Sequence, residues 1–158
     1  MKALVHGYLI DGNGNDPISD ATIVIDDDGR ISAVGSGIDP PTGAEVIDVS
    51  GRTIMPGLID NHVHFFFQVG TPMQESALKP ATFHVLEAAE RARRTLDAGI
   101  TSVRDVGLTH RGFKMAAQKG LIAAPRMNIA VTILSQTGGH SDTLLPSGIY
   151  PPLRTALS

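Results

Sequence analysis

From residue 55 onward the sequence alternates short apolar runs with stretches of helical periodicity, and this alternation restricts the possible folds more than any other feature of the chain. The run "GLIDNHVH" predicts a strand over 58–64. Val85, Leu86, Ala89, Ala92 and Leu96 then recur at helical spacing, with Glu87, Glu90, Arg91, Arg94 and Asp97 on other faces, so 82–98 is predicted helical and Gly99 is its natural stop. "ITSVRDVG" predicts a second strand, residues 111–119 a short helix ended by Gly120, and "RMNIAVTILS" a third strand. In that third strand Met127, Ile129, Val131 and Ile133 are expected to face a helix layer, with Asn128, Ala130 and Thr132 on the other side. Strand–helix units with short connections imply an α/β protein with a parallel sheet.

Before residue 55 the texture differs. Short β-type runs alternate with turn residues, and Asp28-Gly29 reads as a hairpin turn between strands at 22–26 and 30–34. A further short strand is expected at 45–49, after the paired prolines, and Pro56-Gly57 closes the region. The expected division is therefore residues 1–54, a small β-meander, and residues 55–158, the βα series.

Charge and composition narrow the function classes. Thirteen basic residues are scattered among 16 acidic ones, so no basic stripe is available to displace counterions from nucleic acid. The chain has no cysteine, which excludes thiolate metal sites and disulfides. The opening "MKALVHGYLIDGNG" lacks the uninterrupted apolar segment of a signal peptide, and no apolar run is long enough to span a bilayer. A cytoplasmic location without membrane or nucleic-acid partners is the expectation.

The chemistry concentrates at the end of the first strand of the βα series. In a strand alternate side chains share a face, so His62 and His64 are expected to converge on one side, with Asp60 behind them and Ile59 and Val63 opposite. A His-X-His pair alone also fits a solvated or core-packed role. At the C-terminal end of a strand in a βα series, where β/α barrels carry their sites, it reads as a pair of metal ligands. Asp60 is expected to orient its neighbours or satisfy buried donors rather than bind metal. Arg104-Asp105 reads first as a buried structural pair and second as a substrate contact. Phe65, Phe66 and Phe67 either wall a pocket mouth or simply pack. His6, His84 and His110 have no partner visible in the sequence and read as ordinary structural histidines.

A meander followed by βα units, with "PGLIDNHVH" at the junction, "GITSVRDVG" as a second strand and "SQTGGHSD" after the third, resembles the N-terminal third of the amidohydrolase superfamily. The nearest branch is the imidazolonepropionase-like and Xaa-Pro or Xaa-Arg dipeptidase group, from whose loop pattern Ser141 departs. The resemblance implies the first three β/α units of a (β/α)8 TIM barrel, preceded by part of a small β-sandwich that both chain ends build. It also implies that His62 and His64 bind metal, with zinc expected as one or two divalent ions, and that His140 contacts substrate. Without the resemblance, His140 also fits a loop histidine capped by Asp142.

Superfamily members complete the metal site with a carboxylated lysine or glutamate from the fourth strand, histidines from the fifth and sixth, and a proton-handling aspartate from the eighth. A (β/α)8 barrel takes about 250 residues, so this sequence reads as a truncated product or a piece of a longer enzyme, without its own full catalytic set. The expected activity is metal-dependent hydrolysis of C–N bonds, with a dipeptide or other small molecule as substrate and prolidase-like action ahead of a deaminase or cyclic-amide hydrolase. The contrasting expectation is a non-catalytic scaffold. The expected partner is the rest of the barrel or a second copy.

Overall fold

The structure, a computed structural model, describes residues 1–67, 78–139, 141–142 and 148. The chain divides into two compact units, Met1–Pro56 and Gly57–Ser158.

The first unit holds strands β1 (Lys2–Leu9), β2 (Ile18–Ile25), β3 (Ile31–Ser36), β4 (Glu45–Asp48) and β5 (Thr53–Ile54). They form one five-stranded sheet in the order β3-β2-β1-β4, with β5 also paired to β1. The β2–β3 hairpin turns where expected. The Asp26 carboxylate accepts the amides of Asp28 at 3.0 Å and Arg30 at 2.8 Å, tying the turn with a side chain of its own. The expected meander is corrected in one respect: β4 and β5 pair with β1 in parallel, so the sheet is mixed. Segment 37–44 carries the chain from one edge to the other, which an adjacent-strand reading of short β runs does not anticipate. Central strands β1 and β2 bury Ala3, Val5, Leu9, Ala21, Ile23 and Val24, while Ile31, Val34 and Val46 on the outer strands stay exposed. The described residues of this unit form a single sheet rather than two layers.

The second unit runs β6 (Leu58–Val63), α1 (Ala81–Asp97), β7 (Ile100–Asp105), α2 (Arg111–Gln118) and β8 (Arg126–Ile129). The three strands pair in parallel in sequential order. Ala88 and Ala92 of α1 and Phe113 of α2 share one core with Val103, Met127 and Phe65, so both helices cover the same face of the sheet. Sequential strand order with helices on one face is the winding of a barrel wall, whereas doubly wound sheets reverse order and use both faces. The opposite face carries Arg104 and Asn128, both exposed.

Two irregularities set the position of the strand end. β7 has an extra residue between the partners of Leu58 and Ile59, and β6 has one between Asp60 and Val63, so the register slips and then recovers. Gly57 makes room for the first: a Cβ there would lie 2.1 Å from the Thr101 hydroxyl. The second falls on Asn61 and His62, and the Asp60 carboxylate accepts the His62 amide at 3.0 Å.

Three expectations need correction. The buried stripe of α1 is Ala88 and Ala92, with His84, Arg91 and Thr95 half-buried beside it, whereas Val85 and Leu86 are exposed by 38% and 68%. Small residues let the helix approach the sheet closely; of the expected apolar positions Ala92 is buried and Ala89 and Leu96 half-buried, while Val85 and Leu86 turn away. The third strand ends at Ile129, because Val131 adopts a left-handed φ of 60°, which a β-branched residue in a ladder cannot keep. Arg104 and Asp105 do not form a buried pair. Neighbours on a strand point to opposite faces, so Asp105 is buried toward the helices and Arg104 is exposed on the other side.

Candidate active site

His62 lies within β6, and His64 follows its last residue. Their ring centroids are 5.4 Å apart with planes at 72°, so the two imidazoles do converge at the strand's C-terminal end. His62 is exposed and His64 half-buried. The Nδ1 of His64 lies 3.3 Å from the Gly107 carbonyl oxygen. A carbonyl can only accept, so Nδ1 is the donor, and in the neutral imidazole that leaves the lone pair on Nε2. This is the usual preparation of a histidine for a metal, with one ring nitrogen committed to the protein and the other left to ligate. Among the described residues no third histidine, aspartate or glutamate joins the pair.

The segment after His64 is secured by side chains, because it has left the sheet and its peptide groups have lost their ladder partners. The Phe65 amide donates to Asp105 Oδ2 at 2.8 Å, and Arg91 Nε donates to the Phe65 carbonyl at 2.7 Å. Burial pulls the Arg91 guanidinium below its usual pKa, an effect that Glu87 opposes. Asp105, wholly buried, also accepts the Gly107 amide at 3.1 Å and the Thr109 hydroxyl at 2.6 Å. The Ile133 side chain covers Gly107, where a Cβ would come within 2.1 Å of it. Sequence reasoning assigned no role to Gly107 or Thr109. The spacing Asp-X-Gly-X-Thr from 105 to 109, directly after a strand, was the available signal.

The three phenylalanines divide between the alternatives. Phe65 is 3% exposed and packs in the core beside Phe113, and Phe66 stands edge-on to both Phe113 and His110. Phe67 is exposed, with its ring 6.1 Å from that of His64, and is the one member of the run beside the imidazole pair. His6 has the partner that the sequence did not reveal: within the first unit, its Nδ1 lies 3.3 Å from Asp48. The Asp48 carboxyl is held below its ordinary pKa chiefly by the Ser50 hydroxyl, with the Ser50 amide and His6 adding to it.

His140 lies outside the described residues. Around it, the Gly138 amide donates to the Asp142 carboxylate at 2.6 Å and the Asp142 amide to the Gly139 carbonyl at 3.0 Å, so Asp142 braces the loop's own backbone.

A family model for the amidohydrolase family matches residues 53–151. The chain belongs to the amidohydrolase family. It is 45% identical over 67 residues to a dihydroorotase of Trichlorobacter lovleyi, a match covering 40% of this chain and 15% of that protein. Among solved structures, a prolidase complexed with N-methylphosphonate-L-proline superposes with a TM-score of 0.86 at 30% identity, over 98% of this chain and 38% of that one. A Xaa-Pro dipeptidase with methionine bound in its active site superposes with a TM-score of 0.76 at 32% identity, over 89% of this chain and 36% of that one. This amidohydrolase chain thus spans little more than a third of those two structures and a smaller share of the dihydroorotase.

Proposed function

We propose that this chain forms the first three β/α units of a metal-dependent amidohydrolase barrel and supplies two of its metal ligands, His62 and His64, to a site that hydrolyses C–N bonds in dipeptides. The observation that carries this reading is the preparation of His64: Nδ1 committed to the Gly107 carbonyl, with a second imidazole 5.4 Å away at the same strand end. Two nitrogen donors in a family that generally uses divalent ions fit zinc. When bound, such an ion activates water for attack near neutral pH and polarises the scissile carbonyl. The chain's own part is to hold the ligand pair on a strand end, to place Phe67 beside it, and to offer His140, which lies outside the described residues, as a donor to substrate. A small dipeptide is favoured because the prolidase and Xaa-Pro dipeptidase match 89% or more of this chain.

Cyclic-amide hydrolysis is the second reading, supported by the 45% identity to a dihydroorotase over the shorter matched segment. The deciding experiment supplies the zinc-loaded full-length protein with Xaa-Pro dipeptides and with cyclic amides such as dihydroorotate. Faster turnover of the dipeptides is the expected result, and turnover of cyclic amides alone would replace the first reading by the second.

A further inference from the structure

The two backbone segments that fix His64 are joined by one buried carboxylate. Asp105 receives the Phe65 amide on Oδ2 and the Gly107 amide on Oδ1, with the Thr109 hydroxyl also on Oδ2. Phe65 follows His64 directly, and Gly107 supplies the carbonyl that holds the Nδ1 of His64. The carboxylate therefore anchors both the peptide that carries the ring and the peptide that orients it. We propose that Asp105 is a positioning residue for the metal centre, acting through Phe65 and Gly107 to keep His64 in its Nδ1–H tautomer with Nε2 left available as a ligand. This rests on the reading of His62 and His64 as metal ligands.

The donor pattern makes the carboxylate hard to replace. Each oxygen of Asp105 faces a backbone N–H, and a carboxylate accepts on both sides, whereas an amide accepts on one side and donates on the other. Asp105→Asn therefore sets its NH2 against the amide of either Gly107 or Phe65, and the segment so opposed loses its anchor. Thr109 gives its hydroxyl to the same carboxylate but takes no part in the two amide bonds, so Thr109→Val removes one hydrogen bond and leaves both anchors.

The test uses the full-length protein. The ring ¹⁵N shifts of His64 are read in the metal-free state, and zinc affinity is measured by competition with a chelator. The wild type should show the Nδ1–H tautomer alone. Asp105→Asn should show mixed tautomers and a zinc Kd raised about 10- to 100-fold, the usual effect of losing a group behind a ligand, while Thr109→Val stays near wild type on both counts. A folded Asp105→Asn protein with wild-type tautomer and affinity overturns the proposal. So does Thr109→Val weakening zinc as much as Asp105→Asn, or a wild-type His64 already mixed. Should Asp105→Asn not fold, Asp105→Ser, which keeps an acceptor for one amide only, is read in the same way. A wild type with no zinc affinity sinks the metal reading and this proposal together, whereas affinity indifferent to Asp105 sinks the proposal alone.

Discussion

At the scale of single residues, the functional reading depends on what holds each imidazole. His64 has a committed Nδ1 and a clamped following peptide, while His62 is more exposed and has its amide, not its ring, tied to Asp60. On the proposed reading both rings are needed, since a catalytic zinc normally has at least three protein ligands. Replacing His62 and His64 together by alanine in the full-length protein should remove bound metal, and elemental analysis of the purified protein checks this. His140, proposed as a substrate contact rather than a ligand, should behave differently. His140→Ala is expected to lower turnover or raise KM while metal stoichiometry stays intact. Loss of metal in that variant would make His140 a ligand.

At the scale of elements, α1 shows how a helix of mixed polarity is seated. Alanines press it against the sheet, Arg91 reaches the Phe65 carbonyl, and Lys79 pairs with Glu87 at 2.9 Å near its start, each of these two side chains 24% exposed. The Lys79 hydrogen bond is the main reason the Glu87 carboxyl titrates below its ordinary range, with the charges of Lys79, Arg91 and His84 assisting. A depressed carboxylate pKa stabilises the fold above the unfolded value, about 4.3 for glutamate, and that contribution disappears as pH falls through the folded value. Glu87→Gln should therefore lower stability at pH 7, by under about 1 kcal/mol for a partly exposed pair. The gap to wild type should close below about pH 4. Denaturant unfolding of both proteins at pH 7 and pH 3 tests the sign.

At the scale of the whole molecule, the described parallel sheet has β6 and β8 at its two edges, and the face opposite the helices carries the exposed Arg104 and Asn128. Parallel sheets occur almost only with both faces buried, and open edges template further pairing. Large apolar side chains on α1, such as Leu86, and Leu121 beyond α2 are also exposed. Expressed by itself, the polypeptide of residues 1–158 should associate rather than sediment at its 16.7 kDa monomer mass, and should bind zinc weakly through two imidazoles. A cooperatively unfolding, hydrolytically active monomer would require another architecture. No helix among the described residues is long and apolar enough to cross a membrane.

The elements of the second unit were legible in the sequence because periodicity is a local property: helical spacing over 82–98, glycine stops at 99 and 120, and β-type runs between them. The convergence of His62 and His64 was legible too, since it follows from side-chain alternation along one strand. Tertiary structure decided the rest. That β4 pairs in parallel with β1, that α1 packs on alanines rather than on Val85 and Leu86, and that the third strand stops at Ile129 all depend on which surfaces meet. The site depends most on such meetings. Asp105, Gly107 and Thr109 lie some 40 residues from His64 in sequence; the Asp-X-Gly-X-Thr spacing signals only the local bonds to Gly107 and Thr109, and no local pattern announces that a carboxylate taken for the partner of Arg104 also holds the Phe65 amide. The sequence by itself determined which groups were available for chemistry. The fold determined which nitrogen of His64 was left to do it, because a hydrogen bond to a distant carbonyl exists only once the strands are paired.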